Sequence, residues 1–165
     1  MVGMPRLYGQ TCPVARSLDV LGDRWTLLIV RDLLRGRGRF HQLMESLPGI
    51  APNILSERLK LLEEHGIVTR RFYSDHPPRA EYLLTDKGRE LGVVVHALAS
   101  WGARHADSAS TPVHAACGHP IEVGYRCPDC DTVLSREDIQ MRYGPAAPEP
   151  AGARSAADDG AQNAD

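Results

Sequence analysis

The chain has 165 residues, enough for one domain of ordinary size and a small additional unit, and its 42% hydrophobic content is enough for a core. It contains no run of 18 or more apolar residues, which argues against a membrane span, and its first seven residues lack the apolar core of a secretory signal. We therefore expect a cytoplasmic protein whose four cysteines stay reduced, bind a metal or take part in redox chemistry.

The net charge of -2 is unevenly distributed along the chain. Residues 1–106 contain fifteen Lys and Arg against eleven Asp and Glu, a balance of +4, whereas residues 107–165 contain four against ten, a balance of -6. A positive segment is what contact with nucleic-acid phosphates requires. A charge of +4 is common on small domains, so the prediction of function has to rest on the residue pattern.

Two helices are predicted before residue 35. Residues 12–21 contain Pro13, which is suited to a first helical turn, and are followed by Gly22, which stops the helix. Their apolar stripe at i, i+4 and i+7 consists of Val14, Leu18 and Leu21. Residues 25–34 are apolar on nearly every face, which predicts a helix buried all round at the domain centre, with Asp23 as its N-cap. The glycine-rich stretch 35–39 lacks the Lys-Ser/Thr pair of a phosphate-binding loop, which favours a helix end and a basic loop.

Residues 39–66 have the pattern of a helix-turn-helix. A short helix over 39–47 is followed by a turn over 48–51, where Pro and Gly interrupt the helix, and by a second helix over 52–66 with Gly66 just past its end. The leucines of the second helix that face the core are Leu55, Leu59 and Leu62. The residues of its opposite face are Asn53, Ser56 and Lys60, with Arg58 on the flank. In DNA-binding units of this shape the second helix enters the major groove, so this face is expected to contact base edges.

A β-hairpin is predicted directly after the second helix. Residues 67–73 and 80–84 are rich in β-branched and aromatic residues, and the polar, proline-containing stretch 74–79 favours a turn. Such a hairpin would be the wing of a winged helix-turn-helix and would lie along DNA phosphates. The arginines expected to contact phosphates are Arg70, Arg71 and Arg79 in the hairpin and Arg35, Arg37 and Arg39 in the basic loop. The alternative is a small α+β domain that has these elements without binding DNA.

A long helix is predicted after the hairpin, with Thr85 as its N-cap and its end near His105. Its apolar residues, spaced by three to four positions, are Leu91, Val94, Val95, Leu98 and Trp101. This stripe is too long for one small core to cover. It either returns onto the first helix or pairs with the same helix of a second chain, and we favour pairing because helix-turn-helix proteins usually read two half-sites as dimers.

Several short stretches follow one another in a diagnostic order: Cys12-Pro13-Val14, Leu21–Trp25, Arg39-Phe40, Leu55–Leu59 and Tyr82–Gly88. Together they resemble the HxlR family, winged-helix transcriptional regulators within the wider MarR-like group. The resemblance covers about residues 12–105, roughly two thirds of the chain. It implies a homodimer built through the first and last helices and bound to a palindromic operator. It names no effector, and a small-molecule, electrophile or redox signal is expected.

Cys12 matches the cysteine that precedes the first helix in this family, a position that senses electrophiles, quinones or oxidants in some members. The positive end of the helix dipole favours a thiolate, and Arg16 lies one turn further on. Cys12 is therefore a candidate redox sensor. The alternative is a small apolar cysteine at the dimer interface without a sensing role.

The segment beyond residue 113 carries a second cluster of candidate functional residues. Its two chelating pairs are His114-x2-Cys117 and Cys127-x2-Cys130, separated by nine residues. Pairs with this spacing are typical of zinc knuckles, although Asp131 stands where a glycine often follows. We expect these four residues to hold one structural Zn²⁺, with His119 competing with His114 as the nitrogen ligand. The alternative is three reduced surface cysteines without a metal.

These patterns predict a mainly α fold with a small β-hairpin wing, a winged helix-turn-helix, plus a small zinc-ribbon-like segment. The predicted units are a DNA-binding and dimerisation domain at 1–106, a linker at 107–113, the zinc-ribbon-like segment at 114–143 and a disordered tail at 144–165. The leading function is that of a dimeric transcriptional regulator bound to double-stranded DNA. A zinc-ribbon adapter for another protein is the alternative, and an enzyme is disfavoured because neither a nucleophile–base pair nor a His-Glu-x-x-His helix is present.

Overall fold

The structure, a computed structural model, describes residues 7–75, 78–107 and 110–141. The helices within this part of the chain are α1 Pro13–Leu21, α2 Thr26–Leu34, α3 Phe40–Ser46, α4 Pro52–Glu64 and α5 Asp86–His105. The strands are β1 Val68–Asp75, β2 Pro78–Leu84, β3 Tyr125–Cys127 and β4 Thr132–Leu134, and a 3₁₀ turn covers Arg136–Asp138. The predicted tail at 144–165 lies outside the described residues. None of the described helices is long and apolar enough to cross a membrane.

The hydrophobic core lies where α2, α3, α4 and the base of the first hairpin meet. Its fully buried members include Ile29 and Val30 from α2, Leu43 from α3, Leu55, Leu59 and Leu62 from α4, and Val68 from β1. The leucine stripe of α4 therefore faces inward, as its spacing predicts. Truncation of one such leucine to alanine typically costs about 2–5 kcal/mol. The core thus fixes α4 against the rest of the domain and leaves its opposite face outside.

The start of α2 differs from the prediction that Asp23 caps it. Trp25 occupies the N-cap position with φ of +80°, and α2 begins at Thr26. A left-handed conformation is rare for a bulky residue and costs about 1–3 kcal/mol, which the surrounding packing has to offset. The Asp23 side chain is engaged elsewhere, as described below. The helix is also not buried all round, since 39% of Leu28 is exposed.

Both ends of α4 follow the sequence pattern. Pro52 is the first helical residue, and the helix ends at Glu64 with His65 as its C-cap. Gly66 then has φ of +65°, a conformation that glycine adopts without the steric cost of a side chain. Lys87 Nζ donates to the His65 carbonyl oxygen at 2.8 Å, which places a cation at the negative end of the helix dipole.

The wing hairpin has longer strands than predicted. Strands β1 and β2 are antiparallel, and their pairing continues from Val68↔Leu84 to Asp75↔Pro78, with an irregularity between Phe72 and Ser74. Residues 74, 75, 78 and 79 therefore belong to the ladder instead of the turn predicted over 74–79. Backbone pairing across the hairpin extends further than side-chain composition indicated, because the backbone groups of polar residues such as Ser74 and Arg79 can pair in a ladder as well as those of apolar residues.

The basic loop before α3 adds a short third edge to the wing. Arg39 forms an isolated antiparallel bridge with Glu81, and the Tyr82 N–H donates to the Gly38 carbonyl oxygen at 2.8 Å. A Cβ atom on Gly38 would lie 2.5 Å from the Tyr82 carbonyl oxygen, so only glycine allows the backbones of residues 38 and 82 to come this close. The loop is thus a structural part of the wing, which explains the second glycine of the stretch 35–39.

Helix α5 begins as predicted, with the Thr85 hydroxyl accepting a hydrogen bond from the Gly88 N–H at 3.1 Å. The first half of α5 packs on the core through Leu91 and Val95. Strands β3 and β4 follow in the C-terminal segment as a separate antiparallel hairpin. A mainly helical domain with one larger hairpin confirms the predicted winged helix-turn-helix, whereas the predicted domain boundaries stay predictions.

Candidate nucleic-acid interface

The outward face of α4 is polar and exposed. Asn53, Ser56 and Lys60 are all exposed, while the leucines between them are buried. Because a helix turns about 100° per residue, these three positions lie within an arc of about 60°. Lys60 Nζ also lies 3.6 Å from Glu64 Oε1, a surface ion pair that is weak in water and can yield to another anion. The face predicted to read base edges is thus available to a ligand.

Arg58, predicted on the flank of this face, is held by the protein itself. Its side chain is only 18% exposed, and Nη1 lies 2.7 Å from Asp23 Oδ2 and 3.4 Å from Glu57 Oε1. Its Nε is buried without a hydrogen-bond partner among the described residues. The Asp23 pair fastens α4 to the turn between α1 and α2. In this structure Arg58 therefore orients the exposed face of α4, and its predicted contact with DNA stays a prediction.

The three hairpin arginines differ in their surroundings. The Arg70 guanidinium lies 4.9 Å from the centroid of the Phe72 ring, which holds it over an aromatic face. Arg71 forms a cross-strand ion pair with Glu81, with Nε donating to Oε1 at 2.9 Å. Arg79 is exposed and forms no ion pair with any residue that the structure describes. Of the three, Arg79 is the one with neither an ion pair nor an aromatic contact among the described residues.

The three arginines of the basic loop also differ in their surroundings. Arg39 lies 4.9 Å from the centroid of the Tyr73 ring, so this cation sits against the wing. Its backbone N–H donates to Gln42 Oε1 at 3.0 Å, which caps the start of α3. Arg37 is exposed, whereas Arg35 Nη1 lies 3.8 Å from Asp32 Oδ1. The loop and the hairpin are joined by the Arg39–Glu81 bridge and together carry the arginines of the wing.

Asp32 is a structural residue that the sequence analysis missed. It is fully buried in α2, where its carboxylate accepts hydrogen bonds from Arg31 Nε at 3.0 Å and from the Ser46 hydroxyl at 2.6 Å. The second bond ties α2 to the end of α3, the helix before the turn. The position of Asp32 in a mostly apolar helix could have indicated this structural role, because a buried carboxylate requires hydrogen-bond partners.

Apolar side chains remain exposed on α1 and on the second half of α5. On α5 the exposed fractions are 42% for Val94, 52% for Leu98 and 58% for Trp101, and on α1 Val14 is 63% exposed. The first three are spaced at i, i+4 and i+7 and form one stripe. The core thus covers only part of the stripe predicted on α5, and the uncovered part is the surface that a second chain would need.

The cysteines lie in two different places. Cys12 is half-buried at the N-cap of α1, where its carbonyl oxygen accepts the Arg16 N–H at 3.0 Å. In the C-terminal segment, His114 Nδ1 lies 3.1 Å from Cys117 Sγ. A hydrogen bond from the Thr132 side chain, and a second from the Cys127 thiol, lower the pKa of the Cys130 thiol from its ordinary value. The structure thus brings together each of the predicted chelating pairs.

Comparisons with known proteins agree with this geometry. The model of the HxlR-like helix-turn-helix family matches residues 20–110, more than half of the chain. An uncharacterised HTH-type transcriptional regulator of Mycobacterium tuberculosis strain H37Rv is 36% identical over 136 residues, which are 80% of this chain and 85% of that protein. Because 80% of 165 residues is about 132, at least about 22 matched residues lie beyond residue 110. The similarity thus continues into the C-terminal segment.

Solved structures show the same fold. The crystal structure of PA1607, a candidate transcription factor, matches with a TM-score of 0.69 and 38% identity over 81% of this chain and 96% of that chain. The redox regulator HypR matches with a TM-score of 0.55 in both its reduced and its oxidised form, at 35% and 36% identity. These matches cover 58% and 59% of this chain and 95% and 100% of the HypR chains. The protein therefore belongs to the HxlR-like helix-turn-helix family of transcriptional regulators.

Proposed function

We propose that this HxlR-type regulator binds a palindromic operator in double-stranded DNA as a homodimer in the cytoplasm, and that it acts by binding without catalysing a reaction. The observation that supports the proposal best is the exposed polar face of α4, whose opposite face is buried in the core. A helix held by its buried face and presented on its polar face can enter the major groove as a rigid unit.

In this proposal, base contacts and phosphate contacts are made by different residues. Asn53 and Ser56 are short side chains with hydrogen-bonding groups near the start of α4, where recognition helices meet base edges, and Lys60 follows one turn later. Arg79, with Arg37, Arg39 and Arg70, supplies cations to phosphates on either side. Phosphate contacts set the register and base contacts set the sequence preference. Arg58 holds α4 in place through its ion pair with Asp23.

The homodimer rests on the uncovered apolar stripe. Val94, Leu98 and Trp101 on α5 are exposed together, and Val14 and Leu18 are exposed on α1. Burial of such side chains against the same surface of a second chain follows from twofold symmetry, since an isologous interface uses one patch twice. A twofold dimer would present two copies of α4, and two copies read an inverted repeat.

The test compares base contacts with phosphate contacts on the operator. We expect Asn53→Ala or Ser56→Ala to weaken binding to the operator by about 1–3 kcal/mol and binding to random DNA very little. Binding of the full chain to its own upstream region in a mobility-shift assay supplies the operator fragment. Equal losses on operator and random DNA would remove α4 as the reading element.

A thiol-based response is a second proposal, supported by the similarity to HypR, a redox regulator solved in both oxidation states. Cys12 stands at the N-cap of α1, beside the surface assigned to dimerisation. Oxidation or alkylation there would alter the packing between chains and hence the spacing of the two reading helices. The inducing signal is thus an oxidant or an electrophile in this proposal.

Titration with diamide or a quinone tests this second proposal. We expect either reagent to release the wild-type protein from operator DNA and Cys12→Ser to remain bound. Cys127→Ser is the matched control because it removes a thiol outside the winged domain. Release that persists in Cys12→Ser would assign the response to the C-terminal cysteines.

A further inference from the structure

We propose that His114, Cys117, Cys127 and Cys130 bind one structural Zn²⁺, which holds the C-terminal segment as a two-knuckle ribbon. The basis is a repeated local conformation. In each pair the two candidate ligands are separated by two residues, and the pair is followed at once by a residue with positive φ, which is +73° at Gly118 and +55° at Asp131. Two loops with unrelated sequences share this geometry, which turns both ligands of a pair to the same side.

The first knuckle is formed by backbone hydrogen bonds. The His114 carbonyl oxygen accepts from the Cys117 N–H at 3.3 Å and from the Gly118 N–H at 2.7 Å, which closes the turn between the two ligands. His114 Nδ1 then lies 3.1 Å from Cys117 Sγ. Nitrogen and sulfur ligands on one tetrahedral zinc lie about 3.5 Å apart, given Zn–N near 2.0 Å and Zn–S near 2.3 Å. A shift of a few tenths of an ångström brings this pair to ligand spacing.

The second knuckle lies at the tip of the β3–β4 hairpin. Cys127 pairs with Thr132 across the ladder, so the four residues between them form the turn that carries Cys130. The Thr132 hydroxyl donates to the Cys130 carbonyl oxygen at 3.1 Å. Asp131 adopts the left-handed conformation in place of the usual glycine, which aspartate tolerates better than most residues. Its carboxylate pairs with Arg126 and helps to hold that turn.

The nitrogen ligand is assigned to His114 by contact. His114 Nδ1 is within hydrogen-bond distance of Cys117 Sγ, whereas no contact of the His119 ring with a cysteine is found among the described residues. The His119 carbonyl oxygen accepts the His114 N–H at 2.8 Å, so His119 supports the turn through its backbone. His114 is therefore preferred over His119 as the nitrogen ligand.

The segment needs a source of stability other than a core. Every described residue from 110 to 141 is exposed or only half-buried, and 75% of Val133 is exposed. A hairpin with two strands of three residues is not stable on its own in water. A metal clip is a common solution for units of this size, because metal binding supplies the folding free energy.

The proposal requires the two knuckles to close on each other. Among the described residues, no group of three or more His, Cys, Asp or Glu side chains lies close enough to share a metal. The pairs are therefore separate, preformed halves that the ion would join. With four protein ligands and no open position, the zinc would be structural instead of catalytic. The match to the mycobacterial relative beyond residue 110 is consistent with a folded unit in this region.

The test is metal analysis of the full chain purified without added zinc. We expect one zinc per chain, released by a thiol-modifying reagent together with a chelator. Cys127→Ser combined with Cys130→Ser should remove the zinc, and Cys12→Ser, the matched control, should retain it. His114→Ala should weaken zinc binding by a larger factor than His119→Ala. Cobalt substituted for zinc should give the visible absorption of a tetrahedral thiolate site.

Each outcome has a defined meaning. Absence of zinc from the wild type after growth in zinc-supplemented medium, or iron in its place, would overturn the proposal. Zinc retained by the Cys127/Cys130 double variant would overturn the ligand set. If that variant does not fold, reversible removal and return of zinc in the wild type still tests whether the protein binds the ion, and the weaker zinc binding expected of His114→Ala tests the ligand set. DNA binding by zinc-free protein separates this proposal from the proposed function, which does not depend on the metal.

Discussion

Arg79→Ala removes the hairpin arginine that has neither an ion pair nor an aromatic contact among the described residues, and a homodimer would lose it twice. Each phosphate contact contributes a slope of about 0.9 to the dependence of log affinity on log salt concentration, so loss of two contacts should reduce the slope by about 1.8. Between about 50 and 200 mM salt this difference amounts to roughly twelvefold in affinity. Fluorescence anisotropy with labelled operator and with random DNA across a salt series measures both slopes.

Arg71 provides the internal comparison, because its guanidinium already pairs with Glu81 across the hairpin. We expect Arg71→Ala to reduce the slope by less than Arg79→Ala does. Arg136→Ala is the matched control, since it removes an arginine from the C-terminal segment, outside the winged domain. An unchanged slope for Arg79→Ala would refute the phosphate contact, and a changed sequence preference would mean that the wing reads bases.

The remaining predictions concern stability and assembly. Asp32→Ala should lower the free energy of unfolding by about 1.5–3 kcal/mol because the Ser46 hydroxyl and the Arg31 guanidinium lose a charged partner. Urea denaturation measures this loss, and an Asp32→Asn variant as stable as the wild type would count against a role for the charge. Leu98→Asp should weaken the homodimer by about 100-fold or more, since two buried leucines are lost per dimer. Sedimentation equilibrium measures the dissociation constant of the dimer, with Val133→Asp as the control. Equal dissociation constants for the two variants would place the interface elsewhere.

The local pattern of the chain predicted the helices and, except for the start of α2, most of their ends. The leucines of α4, its first-turn proline and Gly66 after its end follow rules that depend on residues three or four positions apart. Thr85 at the start of α5 is a rule of the same kind. The exposure of Asn53, Ser56 and Lys60 followed as well, because one face of α4 had to be buried. The spacing of the chelating pairs is likewise local.

The tertiary structure decided which charged groups are free and where the chain pairs with itself. Arg58 and Asp23 are far apart in sequence, and only the packing of α4 against the turn before α2 makes them partners. The same holds for Asp32 with Ser46, and for Gly38, whose lack of a side chain admits the backbone of Tyr82. Long-range pairs of this kind depend on the relative placement of whole elements, and local residue spacing does not encode that placement. The sequence alone therefore determined the elements and the exposed face of α4, and the packing determined which arginines are held by ion pairs and which remain exposed.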